Sequence, residues 1–182
     1  MERTLSRQTW IEAGLARLAA LGVDSVRVEP LARQLGVTKG SFYWHFQNRA
    51  AFLEALLESW RVAAVGAIVE EIERESGSGL DLLRRLSRRI AREDGRVDTA
   101  VRAWAAHDAA VKRVLDDIDS ARVAYLEKLY AEIGFAARPA RARAEFVYQA
   151  LVGRFVLSPA PLSVEQAEDR LSILLPVLTR LD

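Results

Sequence analysis

The stretch Val37-Thr38-Lys39-Gly40-Ser41-Phe42-Tyr43-Trp44-His45-Phe46 decides the reading of this chain, set between Leu31-Ala32-Arg33-Gln34-Leu35-Gly36 and Asn48-Arg49. The spacing predicts two short helices meeting at a glycine turn. Leu31–Leu35 forms the first, ended by Gly36, and the second is capped by Thr38 and runs to about His45. Phe42 and Phe46, four residues apart, fall on one helical face and can reach a core. Lys39, Gly40 and Ser41 put short or cationic groups at the N-terminal end of the second helix. Tyr43, Trp44 and His45 add a phenol, an indole and an imidazole one turn later. A helix that must approach base edges needs small or polar groups near its start, and Gly40 sacrifices about 1 kcal/mol of helix stability for such closeness. An amphipathic packing helix is the bland alternative. It would have to bury Phe42, Tyr43, Trp44 and Phe46 on every side at once. The pattern is that of a DNA-reading helix-turn-helix.

Working outward, helical periodicity continues on both sides. Before the motif, Ile11, Leu15, Leu18 and Leu21 form an apolar stripe, with Ser6 as N-cap and Gly22 as stop. Val23–Val28 reads as an extended connector, with Pro30 in the first turn of the next helix. After it, Asn48 caps a long helix whose stripe runs through Leu53, Leu56, Leu57, Trp60, Ala64, Ala67, Ile68 and Ile72. Ser76-Gly77-Ser78-Gly79 is the clearest break. An Arg-rich helix follows from Leu80 to about Arg92, then a short one capped by Asp98 and reaching Trp104. A long one covers Val111–Ile133 and stops at Gly134. Pro139 opens the next, reaching Leu157, and Ser163 caps the last, whose pattern contains Pro176. Pro176 should kink or weaken that helix. The expectation is an all-α chain of about nine helices with no strand. Residues 1–47 form a three-helix helix-turn-helix domain and 48–182 a helical bundle.

Composition sets the class. The chain has 182 residues, 51% apolar and 28% charged, which suits a globular protein with a real core. Net charge is only +1, but its distribution is uneven. Residues 1–49 carry seven basic side chains (Arg3, Arg7, Arg17, Arg27, Arg33, Lys39, Arg49) against four acids (Glu2, Glu12, Asp24, Glu29). The remainder holds 19 basic and 21 acidic residues, so a mildly basic head precedes a near-neutral body. No apolar run has membrane-spanning length, and the start is too polar for a signal peptide, so a cytoplasmic protein without membrane partners is expected. The absence of cysteine removes disulfides, thiolate catalysis and Cys-ligated zinc. The only histidines are His45 and His107, and there is no His-Glu-x-x-His helix, Gly-x-Ser-x-Gly elbow or phosphate-binding glycine loop. The chain reads as a non-enzyme with no metal site and no cofactor.

Residues 5–60 resemble the N-terminal domain of TetR-family bacterial transcriptional repressors. The resemblance is carried by Leu31-Ala32, Leu35-Gly36-Val37, the run Lys39–Phe46, and Asn48-Arg49. It implies a homodimer with two heads on a palindromic double-stranded operator and a helical C-terminal domain that dimerises and takes a small effector. It implies phosphate contacts from Tyr43 and His45, with Arg49 standing where the family usually has a lysine on phosphate. Lys39, Ser41 and Trp44 take base-edge or sugar positions. Thr38 and Gly40 complete the DNA-facing set. Where the family often has a threonine opening the second helix, this chain reads Arg27-Val28-Glu29-Pro30, and Arg27 is the candidate phosphate contact there. Arg102-Ala103-Trp104-Ala105-Ala106-His107-Asp108 also resembles a recurring segment of such regulators.

For the body, Arg102, Trp104, His107, Tyr125 and Tyr148 are candidate anchors for a small, mainly apolar or aromatic effector among helices 98–157, although each has an ordinary packing or capping role as alternative. Phe146, Gln149, Ala150, Gly153 and Leu157 form one candidate dimer stripe, and Leu171, Leu174, Leu175 and Leu178 another, unless both simply finish the subunit's own core. The reading is a ligand-responsive repressor released from its operator by the effector. An activator, or a helical adaptor retaining a helix-turn-helix, is the alternative.

Overall fold

The computed structural model describes residues 5–180, and those residues are helical with no strand. The helices are α1 (Arg7–Leu21), α2 (Val28–Leu35), α3 (Lys39–Tyr43), α4 (Arg49–Ala64), α5 (Gly66–Glu73), α6 (Gly79–Ala91), α7 (Arg96–Ala105), α8 (Ala109–Ile133), α9 (Ala137–Leu157) and α10 (Val164–Leu178). The nine expected segments are all present. The long one after Asn48 is divided at Val65, whose φ of −132° and ψ of −63° leave the helical region. Val65-Gly66 pairs a β-branched residue with glycine, a weak point in helix propensity. The expected extended connector holds a 3₁₀ turn at Val23–Ser25 instead. Helix α10 runs on through Pro176 to Leu178.

Local signals explain most boundaries. The Ser6 hydroxyl accepts from Thr9 N–H at 3.1 Å, the Asn48 amide oxygen from Ala51 N–H at 2.9 Å, and Ser163 from Gln166 N–H at 3.1 Å. Each satisfies an amide that the first turn leaves without an internal partner. Two caps were not foreseen. Ser78 and Asp81 form a reciprocal capping box at α6, and Asp108 accepts from the amides of Ala110 and Val111 at the start of α8. Those amide bonds hold the Asp108 carboxyl below its ordinary value. Asp98, expected as a cap, lies inside α7, buried and paired with Arg102 at 3.0 Å. Thr38 stands at the N-cap of α3 in extended conformation, but its side chain makes no capping bond.

The chain forms two compact units. The first comprises the chain through Val62 together with Arg96–Leu115, and the second Ala63–Gly95 with the chain from Asp116 onward. In the first unit α1 packs against α2 and α7, and α2 against α3. Its core is aromatic: Trp10, Phe42, Phe46 and Phe52 are buried, and Phe42 meets Trp10, Phe46 and Phe52 at 5.2–5.4 Å between ring centres. The edge-on contacts to Trp10 and Phe52 are the favoured aromatic geometry. Gly14 permits a close crossing, since a Cβ there would lie 2.6 Å from Phe52 Cζ and 2.8 Å from Leu56 Cδ2. In the second unit Ile72, Leu82, Leu83, Leu86, Leu126, Leu129, Tyr130, Phe135, Tyr148 and Leu175 are core members. The α9–α10 loop is stapled to the end of α6 by Leu162 N–H on Ala91 O and Gly95 N–H on Pro159 O, both 2.9 Å.

Candidate nucleic-acid interface

Helix α3 has an inside and an outside. Phe42 is fully buried and Phe46 nearly so, which fixes the helix to α1 and α4 through Trp10 and Phe52. With that face committed, its neighbours must point away. Tyr43 is 58% exposed and Trp44 is 87% exposed. The indole of Trp44 is thus presented to solvent next to the phenol of Tyr43. Gly36, at φ 69°, makes the left-handed turn that sends α3 off across α2. Val37 N–H donates to Ala32 O at 3.0 Å, and the next helix starts at once.

The other candidates sort into three kinds. Thr38, Lys39 and Gly40 are exposed at the start of α3 beside Tyr43 and Trp44. Lys39 does not stand alone: its ammonium pairs with Glu29 in the first turn of α2, and that bond and charge hold the Glu29 carboxyl below the ordinary range. His45 is half-buried, its Nε2 hydrogen-bonded to Leu5 O at 2.7 Å, so the ring ties α3 to the residues ahead of α1. Arg49 braces as well as faces solvent: its Nε donates to Val26 O at 2.7 Å and its Nη2 to Val23 O at 2.8 Å. Arg27, exposed at the N-cap position of α2, makes no side-chain cap and donates from Nε to Asp24 O at 2.9 Å. Ser41 turns the other way. Its hydroxyl is shielded from solvent and has no hydrogen-bond partner among the described residues. Sequence reasoning also passed over Glu29, which the ion pair brings to the same surface as Lys39.

The five candidate effector anchors do not share one unit. Arg102, Trp104 and His107 belong to the first, and Tyr125 and Tyr148 to the second. Arg102 is held by Asp98, and His107 is exposed. Tyr148 is buried and donates to Asp119 Oδ1 at 2.6 Å, while Arg122 Nη1 approaches its hydroxyl at 3.4 Å. Burial, and next the charge of Glu73, pushes the Tyr125 phenol up to about 12. The two candidate dimer stripes also divide. On α9, Phe146 is 63% and Leu157 86% exposed, Gln149 and Ala150 are exposed, and a Cβ at Gly153 would meet nothing within 4 Å. On α10, Leu174 is exposed, Leu171 and Leu178 are half-buried, and Leu175 closes the unit's own core. The exposed apolar side chains also include Ile173 and Val177 on α10 and Val156 on α9, none of them in the sequence-based set.

A three-helix head carrying a short helix with buried phenylalanines and exposed tyrosine, tryptophan and lysine defines a helix-turn-helix domain. Residues 11–56 match the model of the bacterial regulatory proteins of the tetR family. The likeness to that family lies in the N-terminal domain of this chain. Over 55 residues the chain is 46% identical to the tetracycline repressor protein class G of Vibrio anguillarum, covering 30% of this chain and 26% of that protein. Over 54 residues it is 41% identical to the transcriptional regulator SrpR of Pseudomonas putida, 30% of this chain and 25% of that one. The matched region thus spans about a quarter of these curated relatives. Solved structures extend the likeness in fold to nearly the whole chain. A transcriptional regulator from Rhodococcus sp. Rha1 superposes with a TM-score of 0.73 at 19% identity, covering 98% of this chain and 100% of that one. The ketosteroid transcriptional regulator KstR2 of Mycobacterium tuberculosis gives 0.68 at 17% identity, covering 99% and 98%. Among the described residues no helix is long and apolar enough to cross a membrane.

Proposed function

We propose that this chain is a DNA-binding transcriptional regulator of the cytosol: a repressor that reads a palindromic double-stranded operator as a homodimer and leaves it when a small effector binds. The observation that carries this reading is the two-sided arrangement of α3 and the turn after it, with Phe42 and Phe46 buried while Tyr43, Trp44 and Lys39 are exposed. Residues 1–47 act as the reading head and 48–182 as the dimerisation and effector body. Tyr43, Arg27, Arg49 and His45 serve phosphates; Lys39, Gly40 and Trp44, with Thr38 at the helix start, approach the groove. Ser41, its hydroxyl turned inward, is left out of the base-reading set. One recognition helix spans too few base pairs for a unique site, and two related by a twofold axis read a palindrome. The homodimer is supported by the uncovered apolar side chains of α9 and α10, Phe146 and Leu157 on one and Ile173 and Val177 on the other, which a partner surface would shield from water. The effector reading is supported by the named relatives, a tetracycline repressor and a ketosteroid regulator, and a small, mainly apolar compound is the class proposed.

The test is fluorescence-anisotropy titration of the full chain with DNA from the region flanking its own gene, against random DNA, across a salt series. A specific site bound more tightly than random DNA, with affinity falling steeply with salt, is expected. Equal binding to both sequences would overturn the reading.

A further inference from the structure

Helices α6 and α10 pack together in the second unit and leave a half-open cleft of about 470 Å³ between them, within the size range of small-molecule sites. Leu80, Leu171, Leu175 and Pro176 supply apolar lining, and Arg84, Arg88 and Glu168 supply charge. The charges are not balanced. Arg88 is held bidentately by Glu168, Nε to Oε1 at 2.6 Å and Nη2 to Oε2 at 2.9 Å. Arg84 forms an ion pair with Asp81 at 3.9 Å, beyond hydrogen-bond reach, and lies near enough to Glu168 for its charge to help lower that carboxyl, while Asp81 is already engaged by the amide and hydroxyl of Ser78. Arg84 thus has no hydrogen-bond acceptor among the described residues, and the cleft carries one cation more than Glu168 answers.

We propose that this cleft binds a small amphipathic monocarboxylate, its carboxylate on the Arg84 guanidinium and its apolar body over Leu80, Leu171, Leu175 and Pro176. The guanidinium offers a planar pair of donors that matches a carboxylate. Glu168 also lines the cleft and repels a second negative charge, so one acid group is favoured over two. The hydroxyls lining the cleft do not compete for the ligand: Ser172 Oγ donates to Asp169 O at 2.7 Å and Thr179 Oγ1 to Leu175 O at 2.8 Å. Pro176 has no N–H to give to the carbonyl of Ser172, four residues back, so the cleft also keeps an acceptor lacking its regular helical donor. The binding requires no DNA and stands apart from the operator reading.

The experiment is an NMR titration of the full-length protein with sodium octanoate and, separately, with uncharged 1-octanol, on wild type, Arg84→Gln and Arg84→Lys. Octanoate should bind saturably in the millimolar range or better, with shifts concentrated on residues 80–88 and 168–179. Arg84→Gln should weaken octanoate about tenfold, the worth of one charge-assisted hydrogen-bond pair, while leaving octanol unchanged. Arg84→Lys should restore part of the loss. Circular dichroism checks that the variants are folded, which the surface position of Arg84 favours. Shifts centred elsewhere, no saturable binding of octanoate, or equal octanoate affinity in wild type and Arg84→Gln would each overturn the proposal.

Discussion

Replacing Gly153 by leucine separates the dimer from the subunit. A Cβ at Gly153 meets nothing within 4 Å, so the subunit itself has open space there. Inside a helix, glycine is about 1 kcal/mol less favourable than a good helix former, so leucine should leave the isolated subunit as stable or slightly more so. The interface should respond in the opposite direction. Gly153 lies among Phe146, Gln149, Ala150, Val156 and Leu157, the face proposed to meet a second copy, and a twofold interface places the added isobutyl group there twice. Overpacking costs about 1–3 kcal/mol per site, so two sites raise the dimer dissociation constant roughly thirty-fold to ten-thousand-fold. Sedimentation equilibrium over a concentration series measures that constant. Circular dichroism melts at concentrations where both proteins are monomeric measure the subunit. An unchanged dimer constant would take α9 out of the interface. A lower monomer melting temperature would show that the open space around Gly153 was misjudged.

Four further outcomes follow from the same geometry. Tyr43→Phe should weaken binding alike on specific and random DNA, whereas Lys39→Ala should change which operator is selected from a randomised pool; relaxed selection by Tyr43→Phe would reverse the roles. Glu29→Gln releases Lys39 in each subunit, so the log–log salt slope of DNA binding should steepen by about two for a dimer, and an unchanged slope would show that the pair does not compete with DNA. Ser41→Ala removes a shielded hydroxyl without a partner and should raise or preserve the melting temperature with operator preference unchanged, as a selection experiment would show. Asp108 has a folded-state pKa below its ordinary value of 3.8, so its capping contribution is present above that value and is lost as pH falls through the lower folded value. A melting-temperature series should therefore fall below about pH 4 and fall less in Asp108→Asn, which caps without titrating.

Much of the candidate interface was legible because its signals are local. Phe42 is inward and Tyr43 is carried outward by the 100° step of the helix, but α3 ends at Tyr43 rather than near His45 as the spacing suggested, and Trp44 and Phe46 lie in the turn that follows. What spacing does not reveal is the direction and the intramolecular partners of a side chain: Ser41 reads as a groove-facing hydroxyl and proves to be shielded, and Arg49, read at a phosphate-contact position, also braces the carbonyls of Val23 and Val26. Glu29 went unnoticed because an ion pair ten residues apart leaves no periodic mark.

Taken alone, the sequence determined several helix ends, because a capping hydroxyl at Ser6 or Ser163 and a positive-φ glycine at Gly22, Gly36 or Gly134 act within one turn of chain, but not the division at Val65 or the caps at Ser78 and Asp108. It determined the helical class and the head domain for the same reason. Tertiary structure alone decided which face of each helix is buried. The stripe Ile11, Leu15, Leu18, Leu21 suggested one face for α1, yet Trp10 is fully buried, packed edge-on against Phe42, and Leu21 is 65% exposed. On α10 apolar residues occur on several sides. Only packing against α6 sends Leu175 inward and leaves Ile173 and Val177 in solvent. Periodicity measures the angle between side chains on one helix; the direction of burial belongs to the neighbour that covers it.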